Sequence, residues 1–199
     1  KKSASQILKK RALTQKRKYI TTTIRWFNWS AVVLSVLGVL GSAGIYLYLS
    51  KDLPKISSLK DYHPPIITTV YSDDNRKIAE FYNERRIVIP MSEIPKTLID
   101  AFVAAEDARF YKHEGIDFLS IIRAFFKNIE AGAIVQGGST ITQQVTKSFL
   151  LTPEKSYTRK IKEAILAHRI DRTFSKDEIL LLYLNQIYLG HGAYGVEAA

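Results

Sequence analysis

The sequence predicts a mainly α-helical head on one N-terminal transmembrane helix, with a small β-rich neck between them. Three observations predict it. Trp26 to Ser50 is a 25-residue run without a charge, apolar and polar residues alternate on both sides of Ser72 to Asn75, and an apolar period of three to four residues begins near Pro95. The boundaries that follow are 1–25 for a basic tail, 26–50 for the span, 51–94 for linker and neck, and 95–199 for the head.

The tail comes first because it carries the charge. The 199-residue chain has a formal net charge of +10, yet nine of its 29 Lys and Arg, Lys1 and Lys2 among them, lie in residues 1–25 without any Asp or Glu. The rest carries 20 basic against 19 acidic residues. A nearly neutral head offers no cationic surface for a phosphate backbone, so nucleic acid is excluded as a partner.

At roughly 1.5 Å per residue the uncharged run exceeds a hydrocarbon core of ~30 Å. Trp26 and Trp29 at one end and Tyr46 and Tyr48 at the other match interfacial aromatic belts. A cleaved signal sequence is the competing reading, but its apolar core usually has only about 7–15 residues. The positive-inside bias places the tail in the cytoplasm and the head outside, as in a single-pass protein of the cytoplasmic (inner) membrane. The absence of cysteine excludes disulfides and thiolate metal sites.

Pro54 and Pro64-Pro65 mark residues 51–65 as a linker. Ile66 to Tyr71 and Lys77 to Tyr82 flank a turn and read as a hairpin, with a third strand from Arg86 to Pro90. Pro95 opens a helix whose stripe runs Leu98, Ile99, Phe102, Val103, Glu106, Phe110. A second helix runs from Asp117 to a stop at Gly132, a third begins after Gly137-Gly138, and a fourth covers Ser156 to Thr173. The fifth starts with Ser175 capping Glu178 and ends at Gly190. Ala198-Ala199 reads as part of a continuing small-residue helix, so a longer protein is expected.

Several polar groups interrupt these apolar patterns. Glu106 shares a predicted face with Phe102 and Phe110, where partial desolvation would raise its pKa and suit a proton-abstracting base; the plain alternative is an edge carboxylate paired with Arg109 or with a cation elsewhere. Asp107 points about 100° away and suits a loop-orienting or backbone hydrogen-bonding role. His113 reads as a loop-capping residue, since none of His63, His113, His168 or His191 has metal-ligand spacing. Thr140 and Gln143 fit a capping box after Gly137-Gly138-Ser139, and the helix start, with Gln144 and Lys147, suits an anionic group. Arg159 and Lys160 beside Glu163 suit charge neutralisation, against a surface ion pair as the plain reading. Tyr183 and Asn185 look like helix packing with an amide at its edge.

Taken together, five segments in order resemble the peptidoglycan glycosyltransferases of family 51: Glu106-Asp107-x-x-Phe110-x-x-His113-x-Gly115, Gly138-Ser139-Thr140-Ile141-Thr142-Gln143-Gln144, Arg159-Lys160-x-x-Glu163, Lys176-x-x-Ile179-Leu180-x-x-Tyr183-Leu184-Asn185 and Gly190-x-Gly192-x-x-Gly195-x-x-Ala198-Ala199. With tail, span and neck, the resemblance to the N-terminal part of a class A penicillin-binding protein covers essentially residues 10–199. His191 departs from it, standing where many relatives carry Arg.

The resemblance implies a lysozyme-like head that polymerises lipid II into glycan strands, inverting the anomeric carbon and releasing undecaprenyl pyrophosphate. It implies Glu106 as general base, and Glu163 with Arg159 and Lys160 as stabilisers of the leaving pyrophosphate, directly or through Mg2+. Thr140, Gln144 and Lys147 would line the donor channel, and Asp107, Phe110, His113, Gly138, Ser139, Gln143, Tyr183 and Asn185 complete the implied binding set. Partners would be lipid II, the growing strand and other cell-wall synthesis proteins. The other readings are a lysozyme-like enzyme that cleaves glycan, disfavoured by the cationic residues, and a membrane-anchored non-catalytic module that binds lipid II or acts as a scaffold. A grouped Ser-x-x-Lys, Ser-x-Asn and Lys-Thr-Gly set for transpeptidation does not occur in these residues.

Overall fold

A computed structural model describes residues 4–59, 64–65, 67–152 and 156–199, so the expectations that touch Lys1, Lys2, His63 and Ile66 lie outside the described residues. The chain forms two compact units, Lys1–Lys51 and Asp52–Ala199.

The first unit is one helix, α1, Ala4–Ser50. It is longer than the predicted span because the tail, rich in Lys, Arg, Leu and Gln and free of Gly and Pro, favours helix on its own. Within α1, Thr21–Ser50 is long and apolar enough to cross a membrane. Three serine hydroxyls within it donate back to helix carbonyls, Ser30 to Phe27, Ser35 to Ala31 and Ser42 to Val39, so these three do not require water.

The second unit begins with the expected hairpin, β1 (Thr68–Tyr71) antiparallel to β2 (Lys77–Phe81). Asn75 takes the left-handed conformation in its turn, and the Arg76 N–H donates to Ser72 Oγ. The third strand differs from expectation. It covers only Arg85–Arg86 (β3), leaves the hairpin, and pairs in parallel with β5 (Ala193–Tyr194), which pairs antiparallel with β4 (Tyr188–Gly190). The neck is therefore split between a free-standing hairpin and a sheet that belongs to the head.

Five helices follow: α2 (Lys96–Glu106), α3 (Phe118–Ala131), α4 (Ile141–Leu150), α5 (Tyr157–Asp171) and α6 (Lys176–Gln186). Four starts obey their caps: Asp117 accepts from the Leu119 and Ser120 N–H groups, Ser156 from Arg159, and Thr140 and Ser175 each close a full capping box. Gly132 stops α3 in the left-handed conformation.

Two helix ends correct the sequence reading. Helix α2 stops at Glu106 because the Asp107 backbone leaves the helical conformation (φ -155°, ψ 72°), so Phe110 begins a separate 3-10 turn; its ring is nonetheless fully buried. Helix α6 stops at Gln186 because the chain doubles back, with the Gly195 N–H donating to Ile187 O and the Val196 N–H to Leu184 O. The expected helix through Ala198-Ala199 is replaced by β5 and turns. Helices α4, α5 and α6 enclose a core of Phe110, Ile141, Val145, Ile170, Ile179, Leu180 and Leu184. Burial of such side chains, about 1.5–3 kcal/mol each, is the main term holding the head together.

Candidate active site

The loop after α2 is fastened from four sides. Asp107 is 6% exposed, and its Oδ2 accepts the Ile141 N–H at 3.1 Å while His113 Nε2 lies 2.9 Å away. Thr140 Oγ1 donates to Gly115 O at 2.6 Å and accepts the Gln143 N–H, and Gln143 returns the bond by accepting the Thr140 N–H. Gly115 has φ +83°, and a Cβ there would sit 2.5 Å from Ala167 O, so only glycine lets the loop lie on α5. Lys176 Nζ donates to His113 O and Asp171 Oδ2, each at 2.6 Å, and stands 4.8 Å from the Phe110 ring centroid. Thr142 donates to the same Asp171 oxygen.

This fastening aims Glu106. Because Asp107 binds the first N–H of α4, the next turn brings Gln144 Nε2 to 2.9 Å from Glu106 Oε2. Glu106 is exposed, which corrects the expected desolvated face: the helix ends at Glu106, so Phe110 does not lie on the same helix face. Arg109 does not pair with it either, lying 3.3 Å from Asp117 instead. Burial disfavours the Asp117 charge, but hydrogen bonds from the Ser120 hydroxyl and N–H, with Arg109, outweigh it and hold its carboxyl below the usual range.

The second acid is the reverse case. Glu163 is 2% exposed, so its pairs are not the surface contacts that the helical spacing alone suggests. Lys160 Nζ donates to its Oε1 and also to Ser139 Oγ at 2.8 Å, tying α5 to the start of α4. Arg159 Nη1 is 3.9 Å from Oε2, and Arg159 Nε and Nη1 are buried without a hydrogen-bond partner among the described residues. Gly138 makes the approach of this segment to α3 close, since a Cβ there would meet Ile121 Cα at 3.2 Å.

Both Glu163 oxygens thus already face cations, and the described residues contain no group of three His, Cys, Asp or Glu able to cage a metal. An Mg2+ ion, bound through one or two carboxylates and substrate phosphates, would share Glu163 with Lys160 and Arg159, and the mechanism below is written on side-chain cations alone.

Two expected binding residues have structural employment. Asn185 Oδ1 accepts the Ile89 N–H, and its Nδ2 donates to Ile89 O and Leu181 O, clamping the neck to α6. Gln143 is spent on the capping box. Tyr183 packs edge-on against Phe102, and Lys147 stands with Gln144 and Tyr183 around a cavity of about 500 Å3. Burial, then the charge of Glu106, pushes the Tyr183 hydroxyl pKa up, so it stays protonated. Sequence reasoning gave no role to Lys176 or Asp171. Lys176 stood in a quoted motif, whereas nothing in the local pattern distinguishes Asp171 from an ordinary helix-end acid.

An exposed carboxylate oriented by an amide, together with a buried acid on α5 that gathers two cations, has the chemistry for proton abstraction and for stabilisation of an anion. That is the site class of a glycosyl-transferring enzyme. The chain matches the transglycosylase family over residues 74–199 and belongs to it. It is 51% identical over 170 residues to penicillin-binding protein 1A of Rickettsia felis, covering 84% of this chain and 22% of that protein. To penicillin-binding protein 1A of Pseudomonas aeruginosa it is 47% identical over 174 residues, covering 87% of this chain and 21% of that protein, and to that of Escherichia coli K12 45% over 176 residues, covering 88% and 21%. The chain thus spans about a fifth of the length of these relatives.

Proposed function

We propose that this chain is the glycosyltransferase part of a membrane-anchored cell-wall polymerase that joins lipid II units into glycan strands. The observation that carries the reading is Glu106 at the open end of α2 with Gln144 fixed on its carboxylate. In the reaction, the acceptor sugar's 4-hydroxyl attacks the anomeric carbon of the growing strand and gives its proton to Glu106. The bond from that carbon to the lipid pyrophosphate breaks in the same displacement, and the carbon inverts. The electron pair leaves on the pyrophosphate, whose charge is met by Lys147, Arg159 and Lys160. Glu163 keeps Arg159 and Lys160 in place, a positioning task that its burial supports.

A lipid-borne substrate also agrees with α3. Phe118, Ile122, Phe125, Phe126 and Ile129 are all exposed, an apolar face flanked by Arg123 and Lys127 that suits the headgroup boundary of a bilayer. In this reading the tail is cytoplasmic, the head faces outward from the inner membrane, and other cell-wall synthesis proteins act beside it.

The test is polymerisation of labelled lipid II by the chain in detergent, resolved on a gel. Glu106→Gln keeps the shape but cannot accept the proton, so it yields no glycan ladder and still binds lipid II. Ladders from Glu106→Gln refute its role as base. Lipid II binding without ladders from the unmodified chain points to a non-catalytic binding module.

A further inference from the structure

Asn128 lies in the last turn of α3, which ends at Ala131. Its amide is engaged by the strap that leads to α4, residues 132–139. Oδ1 accepts the Val135 and Gln136 N–H groups, both at 2.9 Å, and Nδ2 donates to Gln136 O at 3.0 Å. Ile121, Ala124 and Asn128 are spaced three and four apart, so they share one face of α3. The strap runs back along that face. It is hydrogen-bonded at Asn128, and nearer the start of the helix Gly138 packs so closely that an added Cβ would meet Ile121 Cα at 3.2 Å and Ala124 Cβ at 3.7 Å.

Packing does little for the strap between these points. Ile134 is 90% exposed and Val135 64% exposed, and Gly132, Gly137 and Gly138 lose more backbone freedom on ordering than other residues would. With so little packed around it, the strap takes its course from the Asn128 amide. It ends at the site. Ser139 Oγ accepts from Lys160 Nζ at 2.8 Å, the same ammonium that donates to Glu163. A lysine side chain has many rotamers, so the direction of its ammonium depends on both acceptors being in place. Glu163 is on the same helix as Lys160; the other acceptor stands at the end of the strap.

We propose that Asn128 is a positioning residue for the leaving group: by fixing the strap it sets Ser139, and through Ser139 the Lys160 ammonium that meets pyrophosphate. In this assignment Asn128 contacts no reacting atom, and it lies outside the five motifs. The assignment rests on the glycosyl-transfer reading and extends it to a residue outside the expected binding set.

The experiment measures binding of inorganic pyrophosphate to the full chain in detergent by calorimetry, beside amide hydrogen exchange and lipid II polymerisation. The samples are the unmodified chain, Asn128→Ala, Ser139→Ala and the double variant. Alanine is the better helix former and the freed strap groups reach water, so Tm holds in Asn128→Ala. That variant exchanges faster over residues 133–139, keeps α4 and α5 protected, and binds pyrophosphate about tenfold more weakly, with polymerisation slowed alike. In the Ser139→Ala background the same change weakens binding less than about twofold, because the route through Ser139 is already cut; a merely structural asparagine would add its loss in full. Unchanged affinity in Asn128→Ala overturns the proposal, as does full additivity in the double variant or the absence of pyrophosphate binding by the unmodified chain. The expected binding pattern in a chain that forms no polymer sinks the glycosyl-transfer reading and leaves the positioning role standing.

Discussion

Asp107 and Glu106 are adjacent carboxylates with opposite economies. Asp107 is buried and accepts from the Ile141 N–H and His113, so Asp107→Ala strands both donors and should cost about 1–3 kcal/mol, read as a lower Tm. Glu106 is exposed and, among the described residues, its carboxylate is hydrogen-bonded to the Gln144 amide, so Glu106→Gln should leave Tm unchanged. An equal Tm loss in both variants would contradict this division. The sequence anticipated the Asp107 role, because consecutive residues on a helix cannot share surroundings. It misjudged Glu106 because the apolar stripe to Phe110 continues by spacing alone, while the backbone leaves the helix after Glu106. The partner of the Asn185 amide was not legible for a similar reason: the Ile89 backbone lies 96 positions away.

At the scale of elements, α4 is the lever of the site. Its capping box sets its start, Asp107 sets its position, and one turn later it holds Glu106. Thr140→Ala removes the cap and leaves Gly115 O without its donor, so we expect about 1–2 kcal/mol of destabilisation by urea titration. A fall in kcat should accompany it as Gln144 loses its register on Glu106; a stable variant with normal kcat would refute the lever. The starts of α3 to α6 were legible because each depends on residues within one turn. The β3–β5 pairing was not, because Arg86 meets a strand more than a hundred residues later and a two-residue strand has no period to read.

The whole molecule pairs a membrane-length helix with a head that carries an exposed apolar face on α3. Replacing Phe125 and Phe126 with Glu should weaken binding of the chain to phosphatidylglycerol vesicles without lowering Tm, since both rings are exposed. Unchanged vesicle binding would remove α3 from the membrane contact. The absence of native cysteine makes orientation testable by single substitutions. In intact cells an impermeant maleimide should label Asp73→Cys and not Gln15→Cys; the opposite pattern would invert the proposed topology.

The central claim is that Glu106, held by Gln144, accepts the proton during sugar transfer. The most direct measurement is single-turnover polymerisation of lipid II by the chain and by Glu106→Gln, with lipid II binding measured on the same samples. The account predicts matched binding, a glycan ladder from the unmodified chain and none from the variant. A ladder of equal rate from Glu106→Gln would contradict it.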